Sequence, residues 1–206
     1  MPDFVIVLLA VLAAYLLGSV PFAVVCSRLF GLADPRSYGS KNPGATNVLR
    51  SGNKAAAALT LLGDMAKGAL AVFLAQKFGP KFGFSEGLVG VVALSVFFGH
   101  LFPVFLHFKG GKGVATAAGV LLALDPLLGL VTLGIWLGIA FVLRYSSLAA
   151  LVAAVAAPVI AFFLWGSGPL LAVVGIIAMS LIAKHWANLQ RLMAGTEPKI
   201  GAKKKA

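Results

Sequence analysis

Apolar residues fall in long blocks along this chain, not in the one-sided stripes of helices that coat a water-soluble core. Near-continuous apolar runs occupy residues 4–29, 55–78, 88–106, 114–143, 148–165 and 168–183. A helix crossing a ~30 Å hydrocarbon layer needs about 20 apolar residues, so these runs predict membrane-spanning helices. Two runs carry internal breaks. Gly18-Ser19 and Pro21 interrupt the first and predict a kink or close helix packing there. Asp125-Pro126 splits the fourth, because proline cannot continue a helix interior and disfavours helix in the residue before it. The first run has no basic segment ahead of it, as a cleaved leader would, and is expected to stay in the membrane.

The number of crossings depends on that split. Taken as one span, residues 114–143 give six crossings and leave Arg144 and the Lys203-Lys204-Lys205 tail outside. Taken as two, they give seven. Arg144, Lys184, Arg191, Lys199 and the tail then share one side with Arg28, Arg36, Lys41, Arg50, Lys54, Lys109 and Lys112. Only Lys77 and Lys81 remain opposite. The positive-inside rule favours seven, with the N-terminus outside and the C-terminus cytoplasmic. The 114–124 half is short for a span, so it needs tilt, local thinning of the bilayer or a start buried within the protein, the last being what a recessed phosphate loop would supply.

Composition agrees with a polytopic membrane protein. The chain is 60% hydrophobic and only 11% charged, with a mean hydropathy of +1.00; ordinary soluble domains are roughly a quarter charged. No polar segment is large enough for a separate soluble domain, so residues 1–206 read as one all-α transmembrane domain. Residues 199–206 read as a basic tail lying against anionic lipid. The single cysteine, Cys26, sits inside the first apolar run and reads as a packed small hydrophobe.

The candidate chemistry lies between the spans. Phe108-Lys109-Gly110-Gly111-Lys112-Gly113-Val114-Ala115-Thr116 places three glycines and two lysines ahead of a helix-like run. Such a loop turns backbone N–H groups inward, and the helix start and Lys112 add positive charge, so it suits a phosphate. The Walker spacing is absent. An earlier polar loop carries Ser40, Asn42, Thr46 and Asn47 as short hydrogen-bonding side chains, and Arg50 as a planar fork for phosphate. Asp64 and Lys67 sit three apart within the second span and are expected to pair. His100 and His107, near the end of the third, are either acid–base groups or ordinary interfacial histidines. Ser147 opens the sixth span. His185, Asn188 and Arg191 recur at helical spacing. With seven spans all these stretches meet on one face, basic and poor in acids. They describe a membrane protein acting on a phosphorylated ligand, and both a transporter and a lipid phosphotransferase remain open at this point. The acids are too few and scattered for an all-carboxylate magnesium site, so no metal is expected.

The order and spacing of these motifs resemble the bacterial acyl-phosphate-dependent glycerol-3-phosphate acyltransferase family. The resemblance covers nearly the whole chain. It rests on Gly-Ser-x-Asn-x-Gly-x-Thr-Asn-x-x-Arg at 39–50, Gly-His-x-x-Pro at 99–103 and Lys-Gly-Gly-Lys-Gly-Val-Ala-Thr at 109–116. Tyr-Ser-Ser-Leu at 145–148 and His-x-x-Asn-x-x-Arg-Leu at 185–192, with Glu197 beyond, complete it; Asp64 and Lys67-Gly68 also fit. Lys41 stands where relatives often carry glycine.

The resemblance implies transfer of a fatty acyl group from acyl phosphate to the 1-hydroxyl of sn-glycerol 3-phosphate, giving lysophosphatidate and phosphate in a bacterial inner membrane. It implies no cofactor and no nucleic-acid partner. By the same match Ser40, Arg50, Lys112 and Ser147 hold phosphate and glycerol groups, while Gly110, Gly111 and Gly113 shape the loop. His185 and Asn188 orient glycerol 3-phosphate, and Glu197 is a structural tie. Position five after His100, His107 and His185 is Phe105, Lys112 and Gln190, so no His-x-x-x-x-Asp dyad exists. No Gly-x-Ser-x-Gly elbow occurs either. Direct attack without an acyl-enzyme is the expected mechanism, with Lys112 and Arg50 stabilising developing charge. The proton then goes to a substrate phosphate or to His185.

Overall fold

A computed structural model describes residues 3–201. They are helical, with no strand among the described residues. The helices are α1 (Phe4–Ser19), α2 (Phe22–Leu29), α3 (Ala45–Val48), α4 (Lys54–Phe78), α5 (Glu86–Leu101), α6 (Val114–Leu124), α7 (Pro126–Leu143), α8 (Ser146–Trp165), α9 (Pro169–Lys184) and α10 (Trp186–Met193). The lysine tail falls outside the described residues.

Four helices or helix extensions are long and apolar enough to cross a membrane: 54–82, 86–106, Pro126–Leu143 and Ser146–Trp165. The count rises to six if two bent pairs, α1 with α2 (44°) and α9 with α10 (58°), are each one span. The remaining apolar helix, α6, has 11 residues. At 1.5 Å per residue it is roughly 16 Å long, about half a hydrocarbon core. Its start is buried within the protein, one of the ways a short span can be accommodated: Gly111 and Gly113 before it, and Thr116 in its first turn, are buried. Exposed apolar side chains such as Phe141 and Phe163 cover the outside of the bundle.

The breaks have local causes. After Ser19 the chain is extended at Val20, and Val24 donates its backbone N–H to Pro21. The carbonyl of Val20 instead accepts from Lys67 Nζ at 2.8 Å. Asp125 is extended (φ −155°) and caps α7, accepting the N–H groups of Leu127 and Leu128 at 2.8 and 3.1 Å. Its other oxygen accepts from Trp165 Nε1 at 3.0 Å, fixing α7 to the end of α8. The third span ends at Leu106 as expected, but not as one continuous α-helix. Helix α5 stops at Leu101, because Pro103 disfavours helix at Phe102, and a single 3-10 turn follows over Val104–Leu106.

Small residues set the tightest helix pairs. A Cβ on Gly18 would strike the Val96 carbonyl, and one on Gly99 the Tyr15 carbonyl, so α1 and α5 meet backbone to backbone. Gly68 against Thr116 and Gly119 against Met65 do the same for α4 and α6. The second pairing anchors α6 and the glycine loop leading into it. Phe97, Leu101, Val120 and Ile177 fill the core between α5, α6 and α9.

Candidate active site

The glycine loop is shaped from below by the Gly-His-x-x-Pro turn. Gly111 donates its N–H to the His100 carbonyl at 3.2 Å. A Cβ on Gly110 would collide with that carbonyl and the Pro103 ring, and one on Gly111 with the His100 imidazole. Gly113 adopts φ +88° against the Phe97 ring, where a side chain would be both strained and without room. The platform is itself braced. Asp64 and Lys67 pair at 2.8 Å within α4, as their spacing predicts, and His100 Nδ1 lies 3.3 Å from the same carboxylate oxygen. All three residues are buried. Isolated charges at that depth are costly, so mutual pairing is the condition for their presence.

The first polar loop is organised by Asn47. Its amide donates to the carbonyls of Pro35 (2.6 Å) and Tyr38 (3.2 Å) and accepts the N–H of Ser40 (2.9 Å). The sequence places Asn47 among phosphate-binding side chains; the fold commits its amide to the loop, which thereby presents the Ser40 hydroxyl. Asn42 is half-buried beside Gly44. Thr46 Oγ1 lies 3.2 Å from Ser146 Oγ and ties this loop to the start of α8. Arg50 packs beside Gly39, with its guanidinium exposed.

The third group surrounds Glu197. Lys112 donates to Asn188 Oδ1, and Asn188 Nδ2 donates to Glu197 Oε1 at 2.6 Å. Ser147 Oγ donates to the same oxygen at 2.6 Å, and Arg191 Nε to Oε2 at 2.7 Å. Glu197 therefore ties the glycine loop, the start of α8 and α10 into one unit. Arg144, at the head of the polar stretch that carries Ser147, holds the segment bearing Glu197. It ends α7 in the left-handed region (φ +62°), and its carbonyl accepts the Ile200 N–H at 2.6 Å. Its guanidinium donates back to the Ile200 carbonyl at 2.8 Å. This clamp folds residues 196–200 over the site.

His185 sits at the junction between α9 and α10, beyond the span, with Nδ1 2.8 Å from the Leu181 carbonyl. That contact makes Nδ1 the N–H and leaves Nε2 as the lone-pair nitrogen. Burial, reinforced by nearby Lys112, lowers its pKa to about 4, so the ring is neutral near pH 7. Burial also lowers Lys112 to about 8, Glu197 pulling the other way and Arg191 and Arg50 adding to the fall. Burial pushes Glu197 upward, but donors from Ser147, Asn188 and Arg191 outweigh it and hold the carboxyl below its ordinary range. Arg50, Lys112 and Arg191 against the single Glu197 leave a net charge of three minus one, or +2, which matches a phosphate monoester dianion. Among the described residues no three His, Cys, Asp or Glu side chains converge as a metal site.

The comparisons with known proteins follow this geometry closely. The family model for glycerol-3-phosphate acyltransferase matches residues 8–195. The chain belongs to the glycerol-3-phosphate acyltransferase family. It is 66% identical over 198 residues to the glycerol-3-phosphate acyltransferase of Dechloromonas aromatica (strain RCB), covering 96% of this chain and 98% of that one. Among solved structures it superposes with a TM-score of 0.88 on the glycerol 3-phosphate form of PlsY (YgiH), an integral membrane glycerol 3-phosphate acyltransferase. The identity is 38%, over 95% of this chain and 96% of the other. The lysophosphatidic acid form of PlsY gives 0.86 at 37% identity over 95% of each chain. Like the family, this chain is an integral membrane acyltransferase.

Proposed function

We propose that the chain transfers a fatty acyl group from acyl phosphate to the 1-hydroxyl of sn-glycerol 3-phosphate in a bacterial inner membrane. The observation that carries this reading is the gathering of Ser147, Asn188 and Arg191 on the Glu197 carboxylate, with Lys112 joined through Asn188 and with Arg50 and His185 near enough to Lys112 to interact electrostatically with it. A phosphate monoester would sit among the cations, while Asn188, Ser147 and His185 direct the glycerol hydroxyls. The glycerol 3-phosphate and lysophosphatidic acid forms of PlsY support the same acceptor and product here. Counting the half-length α6 as a seventh crossing, the positive-inside rule supports a cytoplasmic position for this face, where water-soluble glycerol 3-phosphate is available.

In the step itself the 1-hydroxyl oxygen attacks the acyl carbonyl carbon. The bond between that carbon and the phosphate oxygen breaks, and inorganic phosphate leaves with the electron pair. Lys112 and Arg50 stabilise the negative charge that develops on the carbonyl and leaving oxygens. The Ser147 hydroxyl donates to Glu197 and has no histidine base bonded to it, which supports direct attack over an acyl-enzyme. The hydroxyl proton passes to a phosphate oxygen. His185 Nε2 is the protein's own alternative acceptor, but its lowered pKa makes it the weaker base. Two phosphorylated substrates explain a site so rich in cations.

The test is the purified protein with glycerol 3-phosphate and either palmitoyl phosphate or palmitoyl-CoA, following lysophosphatidate. Product from the phosphate donor alone is expected. Product from the CoA donor alone would overturn the donor, and burst release of phosphate without glycerol 3-phosphate would overturn direct attack.

A further inference from the structure

A second basic concavity adjoins the glycine loop and shares Gly110 with it. It is an open cleft of about 570 Å³ lined by Arg36, Lys41, His107, Lys109, Gly110 and Lys184, with Pro43, Leu106 and Phe108 as apolar walls. None of the residues grouped around Glu197 lines it. Its chain neighbours do face the site: Lys41 follows Ser40, Lys109 precedes the glycine loop, and Lys184 precedes His185. The same three segments thus present one set of residues to the site and the adjacent set to this cleft.

Its charge has no internal partner beyond one pair. Arg36 is held by Asp34 at 2.7 Å, but Lys41, Lys109 and Lys184 form no salt bridge among the described residues. Lys184 Nζ donates to the Leu101 carbonyl and stands 4.4 Å above the Phe102 ring. Beside the cleft, Phe102, Val104, Phe105 and Phe108 are exposed, at 44%, 39%, 57% and 59%. The backbone is also unusual here. Of the four non-glycine residues with positive φ among those described, three (Lys41, His107 and Phe108) line this cleft. Such conformations persist only where their surroundings enforce them, and they concentrate at functional surfaces.

We propose that this cleft binds the phosphate headgroup of an anionic phospholipid of the surrounding bilayer. Three lysines without a carboxylate partner, on an integral membrane protein, complement a headgroup phosphate. The exposed aromatic rim gives the attached glycerol and upper acyl chain an apolar surface. A seated headgroup draws Lys41, Lys109 and Lys184 together, and through them the backbone of three site-forming segments. Anionic lipid then acts as an activator, lowering KM for glycerol 3-phosphate without entering the site.

Delipidated, purified protein would be offered equal phosphatidylglycerol and phosphatidylcholine, with the lipids retained counted by native mass spectrometry. Preferential retention of phosphatidylglycerol by roughly tenfold or more is expected from three lysines near a surface phosphate. The triple change Lys41→Ala, Lys109→Ala, Lys184→Ala should abolish the preference, and the three changes to Arg should keep it. Equal retention of the two lipids by the unaltered protein overturns the proposal without any variant. A preference that survives the triple alanine change overturns it as well. Displacement of phosphatidylglycerol by a non-hydrolysable acyl phosphonate would assign the cleft to the acyl donor, and binding of inorganic phosphate without lipid preference would make it a free-phosphate site. Either result replaces the lipid.

Discussion

Two carboxylates organise this protein, and they use similar partners to different ends. Asp64 sits inside a span with Lys67 on the next turn and His100 across from it, all buried. Glu197 sits on the segment after α10 with Ser147, Asn188 and Arg191 around it, and the Arg191 side chain is 41% exposed. Asp64, Lys67 and His100 are shielded from bulk solvent, so a lost partner is costly to replace and the group serves to brace the glycine loop from below. Around Glu197 the cations border an open face, where a substrate phosphate can compete for them. Depth and access therefore separate a brace from a binding site, although the ion-pair chemistry is nearly the same.

The largest expected effect breaks the brace. Asp64→Ala leaves Lys67 buried without its counter-charge, a loss of about 3–5 kcal/mol by the general behaviour of broken buried pairs. It should appear as a markedly lower thermal midpoint in detergent. A midpoint like that of the unaltered protein would erase the distinction drawn between the two carboxylates.

Lys112→Ala should do the opposite. Activity falls by about 10²–10³-fold, the usual consequence of removing one charge-stabilising donor, while the thermal midpoint barely moves. If stability falls with activity, Lys112 belongs to the scaffold and not to the chemistry.

Smaller again is Glu197→Gln. The amide oxygen can still accept from one donor, but the Arg191 ion pair is lost. We expect KM for glycerol 3-phosphate to rise by roughly tenfold, in line with one charge-assisted hydrogen bond, with kcat much less affected. A change confined to kcat would place Glu197 in the reacting group.

The pH dependence sharpens the picture further. Lys112 is lowered to about 8, so it is charged below that pH and loses its charge above it. Activity should therefore decline on the alkaline side of pH 8, and Lys112→Arg should carry the decline to higher pH. A profile flat to pH 10 would mean that the lysine charge is not used. His185→Ala should have the least effect on turnover at saturating substrates. A fall of about 10²–10⁴-fold would instead identify it as the general base.

Much of the fold was legible because its causes are local. The Asp125-Pro126 break, the Pro21 bend and the Asp64–Lys67 pair each follow from residues adjacent or one turn apart. The break inside the third span could have been read as well, since Pro103 forecasts the α-helix stop near Phe102 within a span that still ends at Leu106. Asn47 could not. Its amide is taken by the carbonyls of Pro35 and Tyr38 and the N–H of Ser40, and only the folded loop brings these to it. Arg144 was legible as part of a polar stretch but its clamp was not, because its partner Ile200 lies 56 residues along the chain and the contact is to backbone.

The sequence by itself determined an all-helical membrane protein, the approximate bounds of its helices and the residue types that a phosphate would need. Apolar run length and proline placement act within one segment, so no distant contact can override them. The tertiary structure alone decided which polar side chains face a ligand and which hold the loops that do. That division depends on hydrogen-bond partners far apart in sequence: Glu197 reaching Ser147, His100 under Gly111, Thr46 against Ser146. A pattern of residue types cannot record which of its donors are already satisfied.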